Sequence, residues 1–450
     1  MTAVNPSPGS SSQAVPGIAR RSVYDRSFWL AYAANGCAVT AFALHFRFAD
    51  FVNFLGGNAT AMGMIWGVGM LGALVARVLV GWQADHRGLR WPWVAGALLY
   101  AAASVGFLFV ERVGVLIYVL RVLFSVALAS MFCCAVAFVW RGVPTARRAE
   151  AVGLMGTSGF LGMVLGPQLA DAVFHLPLDP WSQYKALFGL AALLALAEVL
   201  VVLAAVAQPS AAWQTSRAST GLASILVRFF PWKVLPVTVL MGASQAVNFT
   251  FLTRYVAARE LSGIGPFFAV YALWALAVRV LGRRLPERYG LERAILIAVS
   301  LHIVAGTLYP LADSWSDFLV IAVVGGTAHA ILFPCVTALG ASSFPESYTV
   351  TGVAVTLSLV DLGNFVVAPA LGWIIDRFGF GTMFATYVVL AATILVAFTI
   401  LGFRALAAPA GSRLRSLPAL GRGRLSGVAR RQEPQEHIGP LRSDAASERG

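Results

Sequence analysis

Three ionisable residues lie inside long apolar stretches of this sequence, where a charge is costly. Asp361 stands in TLSLVDLGNFVVAP, Glu198 in LALAEVLVVL and Arg121 in YVLRVLFSVALAS. A carboxyl group removed from water holds its proton more firmly, so Asp361 and Glu198 suit a proton that loads and unloads near neutral pH. The alternative for Asp361 is a structural ion pair or an amide bond with Asn364. A cation at a bilayer centre costs at least ~2.5–3.5 kcal/mol, so Arg121 should face the cavity and have a partner. The alternative is that its side chain extends to the membrane surface.

A charged turn, GWQADHRGLRW at residues 81–91, separates two apolar stretches. Gly81 permits close packing of the preceding helix, and Gly88 permits a backbone with positive φ. Asp85 has two kinds of predicted partner. One is a neighbouring basic residue, Arg87 or Arg90, and the other is the N-terminal end of a second helix, whose dipole favours an anion. The simpler interpretation is that these charges only mark a turn at the membrane surface.

A related pattern returns 202 residues later. RVLVGWQADHRGLR begins at Arg77 and RVLGRRLPERYGLER begins at Arg279, and both carry an acid and a Gly-Leu pair at equal spacing. Arg77 and Arg279 lie about one helical turn inside the helix that precedes each charged turn. The side chain of each either joins its charged turn or extends to the membrane surface. The repeat predicts a duplicated unit. Its second turn comprises Arg279, Glu287, Arg288 and Gly290.

The composition shows which elements must position these residues. Of 450 residues, 58% are hydrophobic and only 12% are charged, with a mean hydropathy of +0.76. Twelve apolar runs are long enough to cross a bilayer, and such runs must be helices because lipid offers the backbone no hydrogen bonds. A β-barrel would show alternating segments of about ten residues, which are absent. The runs, numbered 1 to 12, are 28–49, 60–80, 92–110, 114–139, 151–174, 186–206, 232–253, 265–282, 294–312, 317–340, 351–374 and 381–403.

The predicted fold is an all-α membrane protein of twelve transmembrane helices, arranged as two pseudo-symmetric six-helix bundles. Most of the 33 Lys and Arg residues fall in the tails and in alternate loops, which places both termini in the cytoplasm. The net charge of +13 is therefore a sign of topology and not of nucleic-acid binding. The predicted regions are a disordered N-tail 1–27, bundles 28–206 and 232–403, a cytoplasmic linker 207–231 and a disordered basic C-tail 404–450.

Six plus six helices with this turn after run 2 resemble the major facilitator superfamily. The match covers about residues 25–405, and Gly81, Asp85, Gly88 and Arg90 agree with the signature of the family's loop between helices 2 and 3. Gln83 replaces the usual Leu, and the first basic residue is shifted by one position. The resemblance implies that this loop latches helices 2 and 11 together at the cytoplasmic face. It also implies that the latch holds in the outward-open state and breaks in the inward-open state.

Run 5 contains a second family signature, AVGLMGTSGFLGMVLGPQLAD. Its spacing matches the antiporter motif at four positions and departs from the family's final Gly-Gly pair at Ala170-Asp171. Small residues let helices approach closely, and the proline bends the helix. The resemblance implies proton-coupled efflux. The matching residues are Gly153, Gly162, Gly166 and Pro167.

The resemblance also suggests proton-coupling and substrate residues. A family motif places a buried arginine in helix 4, which corresponds to Arg121, and its candidate roles are to perturb a proton-carrying acid or to hold an anionic substrate. Helix 11 usually lies between the halves, so Asp361 is preferred over Glu198 as the proton carrier. Arg47 and Asp50 either pair with each other or meet substrate. Helices 1, 4, 7 and 10 line the family's cavity, which suggests Asn35, His45, Arg47, Arg121, Gln245, Asn248 and His329.

The sequence therefore predicts a proton-coupled exporter of a small solute, acting as a monomer without cofactor or metal in a bacterial-type cytoplasmic membrane. The alternative is proton-driven uptake of a sugar, an organic anion or a peptide. A transport-dead sensor is less favoured because the latch charges are present. An enzyme is disfavoured because no metal cluster, nucleophile–base pair or nucleotide loop is visible in the sequence.

Overall fold

A computed structural model of the chain describes residues 24–143, 148–210, 213, 221–261, 263–282 and 288–407. Most of the tails predicted at 1–27 and 404–450 and part of the linker 207–231 lie outside these residues, as does Glu287, whereas 26–27 and 404–407 are helical. The chain divides into two units, Met1–Leu401 and Gly402–Gly450. The site described below belongs to the first unit.

The described residues form helices and turns and contain no strand, which confirms the all-α fold. Each predicted run lies mainly in helix, and we number the helices by their runs. Helix 1 comprises Arg26–Leu44, a 3-10 turn His45–Arg47 and Phe48–Phe54. Helices 2 to 6 are Ala59–Arg87, Arg90–Gly106, Val115–Gly142, Arg148–Phe174 and Pro180–Ala207.

The second half has the same plan, with more local irregularity. Helix 7 is Leu235–Gln245, a π-helical turn Ala246–Phe251 and Leu252–Ala258. Helices 8 to 10 are Gly265–Leu281, Leu291–Leu308 and Trp315–Ala341. Helices 11 and 12 form one segment, Thr349–Ala407, broken at Gly379 where φ is 81°. A short helix in the linker, Leu222–Phe229, packs Ile225 against Phe344, Tyr348 and Val355.

Nine helices of the described part are long and apolar enough to cross a membrane. One of them, Val350–Ile400, contains the break at Gly379 and covers two predicted runs. The count of twelve stays a prediction. The outer surface agrees with lipid contact, because large apolar side chains such as Leu193, Leu200 and Val389 are about two-thirds exposed (66%, 70% and 64%).

Polar caps define where several helices begin. The Asp25 side chain accepts a hydrogen bond from the Phe28 N–H, and the Asn58 side chain accepts one from the Ala61 N–H. Asp179 does the same for Trp181 and Ser182, and Ser314 forms a capping box with Asp317. Such caps satisfy backbone groups that the first helical turn leaves without intrahelical partners.

Helices 2 and 11 meet along their length because small residues replace bulk at the contact. A Cβ at Gly63 would collide with the Ala368 carbonyl, and a Cβ at Gly81 would collide with the Ala354 side chain. Close approach of backbones gives the dispersion contacts that hold helices together in lipid. Helix 2 belongs to the first predicted bundle and helix 11 to the second, so this contact joins the two halves.

Candidate functional site

A central cavity of about 370 Å³ lies between the two halves. Its wall is largely apolar, with six aromatic rings and a few polar groups, which is the usual character of a small-molecule site. The rings belong to Phe42, Trp66, Phe132, Phe160, Phe249 and Phe333. The polar side chains belong to Asn35, Arg77, Gln245, Arg279, His329, Thr337 and Asp361.

An ion pair between the halves forms one part of this wall. Arg77 Nε on helix 2 lies 2.7 Å from Asp361 Oδ2 on helix 11, and a second guanidinium nitrogen lies 3.4 Å from Asp361 Oδ1. Of the alternatives for Asp361, the structure shows the ion pair and not an amide bond with Asn364. Both alternatives for Arg77 are corrected, because its side chain turns inward to the carboxylate opposite. Only the fold brings these two residues together.

Arg279 also lines the cavity, so it does not extend to the membrane surface, while its part in the second charged turn stays a prediction. Its guanidinium lies over the rings of Phe160 and Phe333, 4.8 and 5.3 Å from their centroids. Arg279 Nε is buried and has no hydrogen-bond partner among the described residues. Arg279 therefore brings a cation to the cavity wall.

Polar residues of helices 1, 7 and 10 also reach the wall. Asn35 donates to Ser158 Oγ on helix 5 at 2.8 Å, and Gln245 accepts from the Asn364 side chain at 2.8 Å. His329 lies beside Tyr271 and Phe333 with ring centroids 5.9 Å apart in each case. These polar residues come from both halves.

Three other predicted lining residues lie elsewhere. His45 is buried among aromatic rings, including Phe124 at 4.4 Å, in the 3-10 turn of helix 1. Asn248, in the π-helical turn, hydrogen-bonds Tyr309 and the Ser244 carbonyl. Arg47 pairs with Asp50, so of its two alternatives the structure shows the pair. In each case a change of helical geometry or a local partner directs the side chain away from the cavity.

Arg121 and Glu198 are buried beside the cavity and not in its wall. The Arg121 guanidinium lies 4.2 Å from the Trp66 ring centroid, and its three nitrogens have no hydrogen-bond partner among the described residues. This corrects both predictions for Arg121, which neither faces the cavity nor reaches the surface. Glu198 borders a small void with Asn35 and Trp93, and its Oε2 has no hydrogen-bond partner in the described part of the chain.

At one end of the bundle, which we call the Asp85 end, helix 2 stops where helix 11 begins. Asp85 Oδ2 accepts hydrogen bonds from the Thr351 N–H at 3.0 Å and the Thr351 hydroxyl at 2.7 Å. Thr351 lies in the first turn of helix 11, so the carboxylate sits at the positive end of that helix. We call this contact the latch. The predicted contact with a helix N-terminus is therefore observed.

The basic partner at the latch differs from the prediction. Arg141 at the end of helix 4 lies 3.4 Å from Asp85 Oδ1 and donates to the Ala84 carbonyl. Arg87 is exposed, and the guanidinium of Arg90 lies 5.4 Å from the Trp213 ring centroid. The glycines behave as expected, because Gly81 meets Ala354 and Gly88 has a φ of 94°. Arg141 carried no sequence signal beyond being a basic residue at the same end.

The second charged turn is described only in part, since Glu287 lies outside the described residues. Gly290 has a φ of 86°, close to that of Gly88, and both glycines precede a helix. Arg288 is exposed and lies 5.6 Å from the ring centroid of its neighbour Tyr289.

The glycine motif of helix 5 packs against helix 1. Cβ atoms at Gly162 and Gly166 would collide with Val39, Thr40 and Ala43, so both positions need glycine for the close approach. Gly153 has open space, and Pro167 lies within the helix. Tyr32 and Thr157 add a hydrogen bond of 2.9 Å between the same two helices.

At the opposite end, which we call the Asp171 end, two aspartates cap helices of the other half. Asp171 Oδ2 on helix 5 accepts from the N–H groups of Ile264 and Gly265 at 2.9 and 2.7 Å, where helix 8 begins. Asp171 Oδ1 also pairs with Arg47 at 2.6 Å.

Asp376 on helix 11 repeats this arrangement. Its carboxylate accepts from the N–H groups of Ala59 and Thr60 at 3.0 and 2.7 Å, where helix 2 begins. Asp376 lies 205 residues after Asp171, and the same offset relates Ile264 to Ala59 and Gly265 to Thr60. We call these two contacts the clasps. Sequence reasoning missed them, although the acid at 171 stood out as a departure from the glycine motif.

Aromatic rings from both halves close the Asp171 end above the cavity. Phe46 of helix 1 stacks on Phe249 of helix 7 with centroids 4.9 Å apart. Phe46 also contacts Phe268 of helix 8 at 4.5 Å. Contacts between halves therefore exist at both ends in this structure.

Most of the chain is similar to proteins of known family. The profile described as Major Facilitator Superfamily matches residues 27–368. A search of curated protein sequences returned no significant match. The fold is similar to that of the nucleoside transporter NupG, with a TM-score of 0.66 and 14% identity, covering 83% of this chain and 99% of that chain.

Two further solved structures share the fold. One is the human organic anion transporter MFSD10 (TETRAN), with a TM-score of 0.62, 15% identity and coverage of 83% of this chain and 99% of that chain. The other is a D-xylose-proton symporter, with a TM-score of 0.65, 14% identity and coverage of 82% and 96%. At this identity the likeness concerns the fold alone. The profile match, which covers most of the sequence, shows that this chain belongs to the Major Facilitator Superfamily and is a membrane transporter, not an enzyme.

Proposed function

We propose that this protein exports a small solute by alternating access, in exchange for protons. The observation that carries the proposal is the Arg77–Asp361 ion pair. It lies on the wall of the central cavity and joins helix 2 of one half to helix 11 of the other. Asp361 is the acidic side chain in the described cavity wall, so it is the preferred proton carrier.

Protonation of Asp361 would remove one charge of this pair. The attraction between the two side chains is strong in a low-dielectric site, and breaking it leaves Arg77 without a counter-charge. A proton on Asp361 therefore weakens a contact between the halves and changes the charge that the substrate meets. This links proton occupancy to movement of one half against the other.

The latch and the clasps supply the ends that must open in turn. We infer that the Asp85 end faces the cytoplasm, because most basic residues lie in the loops and tails assigned to that side. On this assignment both termini are cytoplasmic. We also propose that the protein acts as a monomer in a bacterial-type cytoplasmic membrane. Opening the latch exposes the cavity to the cytoplasm, and opening the clasps exposes it to the outside.

Export is proposed on the glycine motif of helix 5, whose Gly162 and Gly166 pack on helix 1. Proton-driven uptake is the second candidate. It is favoured by the departure from the motif at Ala170-Asp171, since Asp171 holds a clasp in place of the Gly-Gly pair. Export and uptake would use the same cavity and the same ion pair. They differ in the side of the membrane from which added substrate drives protons through the protein.

Proton flux in inside-out vesicles with an acidified lumen tests the proposal. A panel of dyes, antibiotics, metallophores, sugars and organic acids is added to wild type, Asp361→Asn and Glu198→Gln. Glu198 is a matched control because it is a buried acid outside the wall of the central cavity. We expect at least one compound to discharge the gradient with wild type and with Glu198→Gln, but not with Asp361→Asn.

Other outcomes contradict separate parts of the proposal. Antiport that persists in Asp361→Asn and is lost in Glu198→Gln would move proton coupling to Glu198. The absence of any discharge in inside-out vesicles, with solute-driven proton entry in right-side-out vesicles, would replace export by uptake. Solute movement without any proton flux in either orientation would overturn proton coupling.

A further inference from the structure

Arg77 and Arg279 occupy equivalent places in the duplicated sequence, but they meet different partners. Each opens an Arg-Val-Leu segment near the end of helix 2 or helix 8, and both line the cavity. Arg77 meets the carboxylate of Asp361. Arg279 meets two aromatic rings, Phe160 and Phe333, and no carboxylate among the described residues.

A glycine stands where the second carboxylate would be. The offset of 205 residues that relates the two clasps also relates Asp361 to Gly156. A Cβ built on Gly156 would lie 3.4 Å from a guanidinium nitrogen of Arg279. Apart from its chain neighbours and the backbone of its own helix, no other described heavy atom lies within 4 Å of this Cβ. Gly156 therefore faces Arg279 as Asp361 faces Arg77, but without a side chain.

This difference leaves the cavity with one cation in excess. The ionisable side chains of the described wall are Arg77, Arg279, His329 and Asp361, so one carboxylate faces two guanidinium groups. A buried cation is costly unless it is paired and hydrogen-bonded. Contacts with ring faces offset only part of that cost, and the Arg279 Nε remains without a hydrogen-bond partner in the described chain.

We propose that Arg279 binds the anionic group of the substrate, and that the substrate is an amphipathic organic anion such as a carboxylate. The space left by Gly156 admits the anionic group beside the guanidinium, where charge-assisted hydrogen bonds are strong and directional. The apolar body then packs on the aromatic rings of the wall. This inference rests on the proposed function, because it names the substrate class of the same cavity.

Equilibrium binding to the purified full-length protein tests the inference without any gradient. The probes are matched pairs of a carboxylate and its uncharged amide: 2-naphthoate with 2-naphthamide, 4-phenylbutyrate with 4-phenylbutyramide, and octanoate with octanamide. Calorimetry measures each affinity. In wild type we expect at least one carboxylate to bind about tenfold or more tightly than its amide.

Four variants separate the charge of Arg279 from the shape of the cavity. Arg279→Gln should lose the tenfold preference and leave amide binding within about twofold, whereas Arg279→Lys keeps a charge and should keep part of the preference. Gly156→Asp places a carboxylate beside Arg279 and should abolish the preference. Gly156→Asn, its matched uncharged control, should retain most of it.

The results distinguish this inference from the proposed function. If no carboxylate of the panel binds wild type better than its amide, or if Arg279→Gln and Gly156→Asp both keep the preference, the inference is overturned. Asp361→Asn leaves Arg279 intact, so it should still prefer carboxylates. Carboxylate preference without proton antiport would contradict only the coupling, and antiport of uncharged compounds alone would contradict only the substrate class.

Discussion

The two ends of the cavity are held by the same kind of contact, but in different numbers. At the Asp85 end, one carboxylate of helix 2 caps the start of helix 11 and is supported by Arg141. At the Asp171 end, two carboxylates act reciprocally, since Asp171 caps helix 8 and Asp376 caps helix 2. Each carboxylate crosses from one half to the other.

This difference in the number of contacts affects how stable each end is when it is closed. A charge at a helix N-terminus contributes about 0.3–1 kcal/mol when exposed and up to ~2 kcal/mol when partly buried. Two clasps and the Phe46 stack therefore hold the Asp171 end by more such contacts than the single latch holds the Asp85 end. The duplicated fold thus provides a way to bias the exchange between the two open states by placing acids at helix starts.

The largest expected change comes from removing both clasp charges, with Asp171→Asn and Asp376→Asn together. We expect the Asp171 end to open in a larger fraction of molecules. The free energy of opening should fall by about 2 kcal/mol, which raises the ratio of open to closed molecules roughly thirtyfold. Spin-label distances between cysteines placed at Leu176 and Leu311, both exposed at this end, measure the opening. A matched pair at Trp91 and Leu281 reports the Asp85 end.

Asp179→Asn is the control for the clasp variant. Asp179 lies near the same end but caps helix 6 within its own half, so its loss should leave both distances unchanged. An unchanged distance distribution in the double variant would show that the clasps do not contribute to closure.

An effect of intermediate size is expected for Asp85→Asn. Loss of the charge at the start of helix 11 should favour opening of the Asp85 end by about 1 kcal/mol, the opposite direction to the clasp variant. Transport at equal protein level should slow, because one state becomes overpopulated. Arg87→Ala is the control, since Arg87 is exposed and makes no described contact with Asp85. An unchanged transport rate in Asp85→Asn would rule out the latch.

The smallest effects should come from two hydroxyl groups that make equivalent contacts. Thr351 donates its hydroxyl to Asp85 at 2.7 Å, and Thr60 donates its hydroxyl to Asp376 at 2.6 Å. Thr351→Val and Thr60→Val should each weaken closure of their own end by about 1 kcal/mol or less. Thr351 is buried, so its variant should have the larger effect, and equal shifts at both ends would contradict this comparison.

The helices and the charged turn could be predicted because their signals are local. Apolar runs of about 20 residues leave the backbone few choices in lipid, and Gly88 and Gly290 have the positive φ expected of turn glycines. The acid at 85 was recognised by its spacing from these glycines. That Asp85 pairs with Arg141, and not with Arg87 or Arg90, was not predictable, since several basic residues lie at that end.

Residues with unusual backbone geometry were the least predictable. His45 and Asn248 lie in apolar helices that line the cavity elsewhere, and a uniform helix would direct some of their polar groups inward. The 3-10 turn at His45 and the π-helical turn around Asn248 change that direction. Composition and periodicity carry no signal for such turns.

By itself the sequence determined the class of protein, the helices and a duplicated charged turn, because solvation by lipid acts on each segment separately. Only the tertiary structure decided which charges meet. Asp361 lies 284 residues from Arg77, and Asp85 lies 266 residues from Thr351. The packing of helix 2 against helix 11 makes both contacts. Likewise, only the tertiary structure places Gly156 beside Arg279. A charge buried in an apolar bundle must find its partner in space, and the chain can supply that partner from any distance along the sequence.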